Sequence, residues 1–268
     1  MDNSTKLEEA RVLAVDSHDQ NAGYFENEYR SLDERNDYTT TAFLYGRKKI
    51  DALLYSALQR IPSGGNVLDI GCGTGDQTYR VRSLGYRVIG LEPAPQMRAL
   101  AQAKNPGVEI IDGSILQLPF ENQSFDFVFA LEVLRYFHLP DVYKAYEELF
   151  RVLKPGGTVF FTMVNRYALD GYYIFYYLKK FALNLAGKPP SAHCEFVIPS
   201  QVMSGLKYLG GKDIQIKGRL FAPIRFFYKI SDALGKTIAT KLEPYDDAQS
   251  QYSWTIPFAG HLIIEAKK

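Results

Sequence analysis

Cysteine is scarce in this 268-residue chain, which contains only Cys72 and Cys194. Two cysteines cannot form a disulfide framework, and Cys72 lies among glycines where a crosslink would be awkward, so we expect a reducing, cytoplasmic location. Charge of one sign is not in excess either, since 31 basic and 30 acidic residues give a net charge of +1. This balance predicts no general attraction to nucleic acid, and we expect no nucleic-acid partner.

Long apolar runs are also absent. Residues 1–23 mix acidic and polar side chains and contain no stretch apolar enough for a secretory signal. Lys179, Lys180 and Arg225 interrupt the most apolar later segments, so no run reaches the roughly 18 to 20 residues that span a bilayer. Histidine, cysteine and acidic residues form no cluster with metal-ligand spacing, and we therefore expect no metal site.

Short apolar runs do occur between residues 65 and 165, where they alternate with segments of helical pattern. This alternation is typical of a mostly parallel sheet flanked by helices, built as one main domain with insertions. The predicted strands are 67–70, 87–92, 108–111, 125–131, 158–164, 213–221 and 258–268. The predicted helices are 77–84, 95–104, 141–153, 199–210 and a basic amphipathic helix over 223–241. We divide the chain into an N-terminal helical segment (1–44) and a main domain (45–268) with insertions at 165–198 and 221–255.

A glycine-rich loop, NVLDIGCGTGD (66–76), follows the first predicted strand. Glycines let the backbone approach a ligand closely, and the next helix offers free N–H groups. A dinucleotide fingerprint requires glycine at position 76, where this chain has Asp76, and no lysine follows as in a phosphate-binding loop. An acid there would repel a pyrophosphate, which disfavours an NAD(P) oxidoreductase. Asp76 either contacts a ligand bound at this loop or only stabilises the N-terminus of the helix that follows.

Two further acids lie at strand ends. Asp69 in the first strand faces the crevice where open α/β sheets bind ligands, and could meet an ammonium or sulfonium group. Glu92 ends the second strand, where an acid can accept hydrogen bonds from both ribose hydroxyls of a nucleoside. A cationic nucleoside without phosphate therefore fits this loop best.

Four segments, VLDIGCGTG, VIGLEPAPQM, LPFENQSFDFVFALEVL and ELFRVLKPGGTVFF, occur in this order over about residues 45–165. They resemble successive motifs of the class I S-adenosylmethionine-dependent methyltransferases, in particular the ubiquinone and menaquinone biosynthesis methyltransferases. The resemblance implies an α/β fold with a Rossmann-like doubly wound seven-stranded sheet, order 3-2-1-4-5-7-6, last strand antiparallel, and an inserted cap. It implies S-adenosylmethionine as cofactor and methyl transfer as activity.

The resemblance also assigns parts of the cofactor to matching positions. Gly71, Gly73 and Gly75 would line its methionine part. Asp69 would lie near its ammonium group, and the backbone carbonyl of Leu131 would face the methionine chain.

The nucleoside part of the cofactor has its own matching positions. Glu92 would hold the ribose, and Pro93 would pack against the adenine. Ser114 takes the position at which the family usually has an acid that accepts a hydrogen bond from the adenine amino group. The nearest acid, Asp112, comes two residues earlier in the chain. Ile115 would donate its backbone N–H to the adenine.

No catalytic base can be named from the sequence. His138 follows the fourth strand beside the expected substrate mouth and is the candidate. His193 lies in the first insertion, whereas His18 and His261 are predicted to be peripheral.

The first insertion contains YALDGYYIFYYLKKF (167–181), with seven tyrosines or phenylalanines in fifteen residues. These aromatics could line a pocket for a ring-bearing or lipid-like acceptor, pack a cap helix on the core, or touch a membrane surface. We expect methyl transfer to such a small acceptor at O, C or N. The alternative is an S-adenosylmethionine-binding protein without transferase activity, in a regulatory or scaffold role.

Overall fold

The computed structural model describes residues 3–187 and 192–268. Residues 1–2 of the predicted N-terminal segment and residues 188–191 of the predicted cap lie outside the described residues. The helices are α1 (Asn3–Gln20), α2 (Ala22–Arg35), α3 (Ala42–Leu58), α4 (Asp76–Ser83), α5 (Pro95–Lys104), α6 (Leu139–Val152), α7 (Tyr172–Leu185), α8 (Pro199–Tyr208), α9 (Ile224–Ile230) and α10 (Asp232–Gln249). The strands are β1 (Asn66–Ile70), β2 (Arg87–Leu91), β3 (Glu109–Ile111), β4 (Phe125–Ala130), β5 (Leu153–Asn165), β6 (Phe196–Val197), β7 (Lys212–Arg219) and β8 (His261–Lys267).

The strands form one sheet in the order β3-β2-β1-β4-β5-β8-β7, and the two-residue strand β6 pairs with β5 beside this path. β8 runs antiparallel to both of its neighbours, whereas the other pairs are parallel. Counted without β6, the order is the predicted 3-2-1-4-5-7-6 with an antiparallel last strand. The predicted fold class is therefore confirmed, and β6 was missed because two residues are too few to show a strand pattern.

Successive residues of the central strands pack on opposite faces of the sheet. Leu68 and Val128 join one core with Leu149 of α6. Phe127 of β4 joins the other core with Leu54 of α3. Because both faces are covered, the central strands are mostly apolar, and the loops at their carboxyl ends converge on one edge of the sheet.

The predicted basic helix over 223–241 is in fact two helices, α9 and α10, which meet at Ser231. The backbone of Ser231 is extended, with φ of −164°, and its hydroxyl oxygen accepts a hydrogen bond from the Leu234 N–H at 3.2 Å. Ser231 therefore starts a new helix, as serine at such a position favours. The break turns α9 toward the carboxyl ends of the strands.

The cap helix α7 buries one side only. Tyr172, Tyr173 and Tyr176 pack against a small cluster formed by Val164, Cys194 and Phe196. The opposite side exposes apolar residues, namely Ile174, Phe175, Tyr177, Leu178, Phe181 and Leu185. Within residues 3–187 and 192–268, no helix is both long and apolar enough to cross a membrane.

Candidate active site

The glycine loop joins β1 to α4 in left-handed backbone conformations. The φ angles of Gly71, Gly73 and Gly75 are +67°, +57° and +80°, a region that side chains disfavour. A Cβ atom on Gly71 would lie 2.4 Å from a methyl carbon of Val133, and one on Gly75 would lie 2.6 Å from Asn105 Nδ2. At Gly71 and Gly75, both the positive φ angle and the lack of space exclude a side chain. At Gly73, the positive φ angle alone disfavours one.

Glu92 lies buried beside this loop, with 6% of its surface exposed. Its Oε2 accepts a hydrogen bond from the Gly73 N–H at 2.8 Å, and its Oε1 accepts one from the Ala94 N–H at 2.9 Å. Burial raises the pKa of Glu92, although these two backbone donors oppose the shift. A carboxylate oxygen has two acceptor positions, so each oxygen can accept one further hydrogen bond from a ligand hydroxyl.

Asp69 is a buried carboxyl in β1 that accepts a hydrogen bond from the Thr78 hydroxyl at 2.7 Å. Burial raises its pKa to about 7, because the Thr78 bond and the charge of Arg47 offset desolvation only in part. Arg47 itself is paired with Asp51, its Nη2 lying 2.8 Å from Oδ1. A cation bound next to Asp69 would therefore relieve an unfavourable buried charge.

Asp76 has its own partners at the start of α4. Its Oδ2 accepts from the Thr74 hydroxyl at 2.6 Å, and its Oδ1 lies 2.7 Å from Lys104 Nζ. This pairing balances the charge of Asp76 within the fold. Of the two roles open from the sequence, the contacts favour a structural role at the helix start.

A cavity of about 770 Å³ opens over this edge of the sheet. Its size is within the range of pockets that hold drug-sized ligands. All the predicted cofactor residues except Gly75 line it, namely Asp69, Gly71, Gly73, Glu92, Pro93, Ser114, Ile115 and Leu131. Gly75 instead faces Asn105 and Ala101.

The segment around Ser114 forms a polar turn at the cavity wall. The Ser114 hydroxyl oxygen accepts a hydrogen bond from the Leu116 N–H at 3.2 Å, and Ile115 is buried. Asp112 is exposed and lies 3.3 Å from Arg98. The serine, not the early aspartate, is therefore the side chain of this pair that reaches the cavity.

The other half of the cavity contains a carboxylate that no sequence pattern singled out. Glu132 follows β4 with a φ of +63°, a strained conformation for a residue other than glycine. Its N–H donates to Thr162 Oγ1 at 2.8 Å, and the Thr162 hydroxyl donates back to Glu132 Oε1 at 2.9 Å. Arg135 Nη1 donates to Oε2 at 2.9 Å. Strain held by such contacts is a feature of functional sites.

His261 faces this carboxylate from the start of β8, with Nδ1 3.5 Å from Glu132 Oε1. Its Nε2 lies 2.7 Å from Arg225 Nη2, which donates to it. Burial lowers the pKa of His261 to about 3, so the ring is neutral at physiological pH. Burial alone would raise the pKa of Glu132, but His261, Arg135 and Arg225 lower it well below its usual range, so Glu132 is ionised.

The prediction that His18 and His261 are peripheral is wrong, because both line the cavity. For His261 the reason is topological. The first residue of an antiparallel strand lies at the sheet edge where parallel strands end, so the predicted direction of β8 was a signal that could have placed His261 here.

His138 does not line the cavity with the other predicted residues. It lies at the N-terminus of α6, and its ring stacks on that of His193 with centroids 3.7 Å apart. The preceding residue, Phe137, does line the cavity. The role of His138 as a base stays a prediction without support from this geometry.

The N-terminal helices close the cavity from above with an apolar wall. Its residues are Val12, Ala14 and Val15 of α1, Phe25 of α2 and Phe43 of α3. Polar contacts hold α1 at its middle and near its C-terminus: Arg11 Nη2 lies 2.6 Å from Asp141 Oδ2, and Asp19 Oδ1 accepts from the Gln96 N–H at 2.6 Å. The sequence did not predict this wall because α1 has little apolar periodicity.

Comparisons with known proteins identify the family of this chain. A protein-family model described as a methyltransferase domain matches residues 68–161. Over 173 residues the chain is 30% identical to the demethylmenaquinone methyltransferase of Bacillus licheniformis, covering 62% of this chain and 72% of that protein. Over 169 residues it is 30% identical to the ubiquinone biosynthesis O-methyltransferase of Idiomarina loihiensis, covering 61% and 68%.

The fold is shared with solved structures. A Thermotoga maritima structure, described as an S-adenosylmethionine-dependent methyltransferase and possible histamine N-methyltransferase, matches with a TM-score of 0.55 at 20% identity. The match covers 91% of this chain and 97% of that chain. These relatives show that the cofactor is S-adenosylmethionine. The chain belongs to the class I S-adenosylmethionine-dependent methyltransferases, in the subgroup that includes the ubiquinone and menaquinone biosynthesis enzymes.

Proposed function

We propose that this methyltransferase acts on a ring-bearing, lipid-like acceptor that carries a ring oxygen, such as a quinol. The observation that carries the proposal is the single cavity that contains both the glycine loop with Glu92 and the polar group around Glu132 and His261. Cofactor and acceptor can therefore meet inside one enclosure. No comparison favours the alternative, a binding protein without transferase activity.

The cofactor half of the cavity fits a cationic nucleoside. Asp69 would hold the ammonium group, because a buried carboxyl whose pKa burial has raised is stabilised by a neighbouring cation. Glu92 would hold the ribose hydroxyls with its remaining acceptor positions. The backbone of Gly71 and Leu131 would line the methionine chain, and Pro93, Ser114 and Ile115 would line the adenine.

The acceptor half of the cavity combines apolar walls with a few buried polar atoms. Phe25, Phe43 and Val15 offer flat or branched apolar surface to a ring and its alkyl substituents. Within residues 3–187 and 192–268, the Nε atoms of Arg135 and Arg225 are buried without a hydrogen-bond partner. Such donors fit a ring carbonyl or an oxyanion, which supports an oxygen-bearing ring.

The names of the relatives agree with this chemistry. The Bacillus licheniformis relative is named for demethylmenaquinone and the Idiomarina loihiensis relative for ubiquinone biosynthesis, and both names refer to quinone rings. These matches support the class of acceptor. They leave open whether carbon or oxygen receives the methyl group.

The cofactor supplies an activated methyl group on a sulfonium, so the chain has to align the acceptor and exclude water. Glu132, ionised and held by Thr162 and Arg135, would accept a hydrogen bond from a ring hydroxyl. The guanidinium groups of Arg135 and Arg225 would stabilise the negative charge that develops on that oxygen during the transfer. The apolar wall formed by the N-terminal helices would keep water away from the methyl group during transfer.

Turnover of reduced naphthoquinones that lack the ring methyl, measured as S-adenosylhomocysteine released, tests this function. We expect turnover of the quinol form, and we expect Arg135→Lys to lower kcat/KM about 10- to 100-fold because lysine cannot reproduce the planar fork of donors. S-adenosylhomocysteine affinity, measured by calorimetry, should stay within about twofold, which shows an intact cofactor half.

Two results would contradict different parts of the proposal. If S-adenosylhomocysteine binds but neither quinols nor phenols turn over, the acceptor class is wrong. If S-adenosylhomocysteine gives no heat up to about 1 mM, near the top of the usual KM range, the assignment of the cofactor residues is wrong.

We further propose that the exposed side of α7 docks on an anionic bilayer surface, from which a lipid-like acceptor would enter. Ile174, Leu178, Phe181 and Leu185 form a stripe at helical spacing on this side. Lys229 of α9 lies 5.6 Å from the ring centre of Phe175, so the apolar stripe has a positive border. Apolar side chains next to lysines are typical of helices that lie in a membrane interface.

The same helix meets the acceptor half on its opposite, packed side through Tyr172, the first residue of α7. Arg135 Nη2 donates to the Tyr172 hydroxyl at 2.5 Å, and the Arg225 guanidinium lies 5.3 Å from the Tyr172 ring centre. Both arginines line the cavity. A bilayer in contact with α7 would therefore lie next to the acceptor half.

Sedimentation with phosphatidylglycerol vesicles, compared with phosphatidylcholine vesicles, tests this surface. Phe181 is 62% exposed, and we expect Phe181→Glu to weaken binding to the anionic vesicles about tenfold or more by loss of apolar insertion and added repulsion. Tyr208→Glu is the control, because Tyr208 is 88% exposed on α8. Equal losses in both variants, or no sedimentation of the unmodified chain, would refute the docking surface.

A further inference from the structure

Two histidines and a glutamate lie together where the cap meets the start of α6. His138 directly precedes α6, Glu195 directly precedes β6, and His193 lies two residues before Glu195. Glu195 Oε2 lies 3.2 Å from His193 Nε2 and 4.0 Å from His138 Nδ1, and one ligand atom from each residue lies within 4.8 Å of the others. The sequence did not reveal this group because the two histidines are far apart in the chain.

The 3.2 Å between Glu195 and His193 equals the separation of two ligand atoms on one transition-metal ion, whereas the 4.0 Å between Glu195 and His138 would have to shorten when an ion binds. Zn²⁺ binds histidine nitrogen and carboxylate oxygen at about 2.0 to 2.2 Å, so two ligand atoms of a tetrahedral ion lie roughly 3.3 Å apart. The side chains of His138, His193 and Glu195 are 37%, 17% and 15% exposed. An ion can therefore reach the group, and a water molecule can complete its coordination.

Backbone contacts fix the positions from which these side chains project. The His138 carbonyl accepts hydrogen bonds from the N–H groups of Asp141 and Val142 at 2.8 and 3.0 Å. The Glu195 N–H donates to the Arg135 carbonyl at 2.7 Å, and β6 continues into the sheet beside β5. A preorganised set of ligands binds metal without the entropy loss of ordering a loop.

We propose that His138, His193 and Glu195 form a site for a divalent transition metal, with Zn²⁺ as the preferred ion, which fastens the cap to the start of α6. Two imidazoles and one carboxylate are a ligand set that zinc uses in proteins. The group lies outside the lining of the cavity. Its role is therefore to hold the cap and not to take part in methyl transfer.

The charges around the group are compatible with a cation. The charge of Lys180 disfavours a positive charge at His138, whereas the carboxylates of Asp141 and Glu195 favour one.

Titration of the metal-free full chain, prepared with EDTA and without a polyhistidine tag, tests the site. Calorimetry with Zn²⁺ should show one ion per chain, and Co²⁺ should give the visible absorption bands of a site with nitrogen and oxygen ligands. At a free Zn²⁺ concentration about 100 times Kd, the melting temperature should rise by about 5 °C or more.

Single substitutions separate this site from adventitious binding. His193→Asn and Glu195→Gln should each weaken Zn²⁺ binding at least about tenfold and abolish the thermal shift. Glu147→Gln, on the exposed face of α6, should leave both unchanged. Unaltered S-adenosylhomocysteine affinity confirms that each variant is folded.

Two outcomes would overturn the proposal. One is the absence of Zn²⁺ binding to the unmodified chain at about 100 µM, a concentration far above the Kd of structural zinc sites. The other is Zn²⁺ binding that persists unchanged in a folded His193→Asn or Glu195→Gln variant, which would place the ion elsewhere.

Discussion

Replacing Asp69 with asparagine should make the folded chain more stable and the cofactor bind more weakly. Both effects follow from one carboxyl that lies buried at the end of β1 with a pKa of about 7. Asparagine has nearly the same shape but no charge. The substitution therefore removes the desolvated charge and, with it, the expected partner of the cofactor ammonium group.

The size of the stability effect follows from proton linkage. Burial raises the pKa of Asp69 from 3.8 to about 7, so the unfolded chain loses this proton first as the pH rises. The free energy of unfolding therefore falls between about pH 4 and pH 7 and levels off above, with a total loss of about 4 kcal/mol. An asparagine at this position does not titrate, so the variant shows no such fall. The difference in free energy of unfolding between Asp69→Asn and the unmodified chain should therefore increase by about 2 kcal/mol from about pH 5.5 to about pH 8.

The binding effect has the opposite sign. Loss of a charge-assisted hydrogen bond of about 1.5 to 3 kcal/mol should weaken S-adenosylhomocysteine binding roughly 10- to 150-fold at about pH 8. In the unmodified chain, affinity should fall about tenfold from pH 8 to about pH 6 as Asp69 takes up its proton. That decrease should be absent from Asp69→Asn.

Urea unfolding followed by circular dichroism, and calorimetry with S-adenosylhomocysteine, measure the two effects at both pH values. Asp112→Asn is the control, since Asp112 is exposed and should change neither quantity. A stability difference between Asp69→Asn and the unmodified chain that does not change with pH would refute the buried-charge argument. Unchanged cofactor affinity would refute the ammonium assignment.

Two other predictions concern the same half of the cavity. Glu92→Gln should weaken S-adenosylhomocysteine binding about tenfold or more, because an amide offers one acceptor oxygen where the carboxylate offers two; equal affinity by calorimetry would remove Glu92 from the ribose site. Gly71→Ala should lower the free energy of unfolding more than Gly64→Ala does, by about 1 to 3 kcal/mol. Both glycines have φ near +68°, at +67° and +69°, but only at Gly71 would a Cβ meet Val133. If urea unfolding shows the same loss of free energy of unfolding in Gly71→Ala and Gly64→Ala, the positive φ angle alone explains the need for glycine at position 71.

Local patterns in the sequence were enough to predict the cofactor half of the cavity. The β1 strand, its glycine loop and Glu92 lie close in the chain, and parallel strands bring their carboxyl ends to one edge. The structure places Asp69, Gly71 and Glu92 around the same cavity.

The acceptor half could not be predicted in this way. Glu132, Arg135, Arg225 and His261 come from three separate parts of the chain, and each is an ordinary polar residue in its own segment. Arg225 lines the cavity from α9, and the helical pattern did not predict the break at Ser231 that separates α9 from α10. Tertiary contacts, rather than local periodicity, assemble this group.

The position of β8 has a consequence for the order in which the enzyme can become active. β8 is the last of the described strands in chain order, yet it lies between β5 and β7 and carries His261 into the cavity. During synthesis, β5 and β7 leave the ribosome before the strand that joins them. The cofactor loop can form early from neighbouring segments, but the acceptor half is completed only when β8 inserts, so the strand pairing with the longest sequence separation is also the one that makes the enzyme competent.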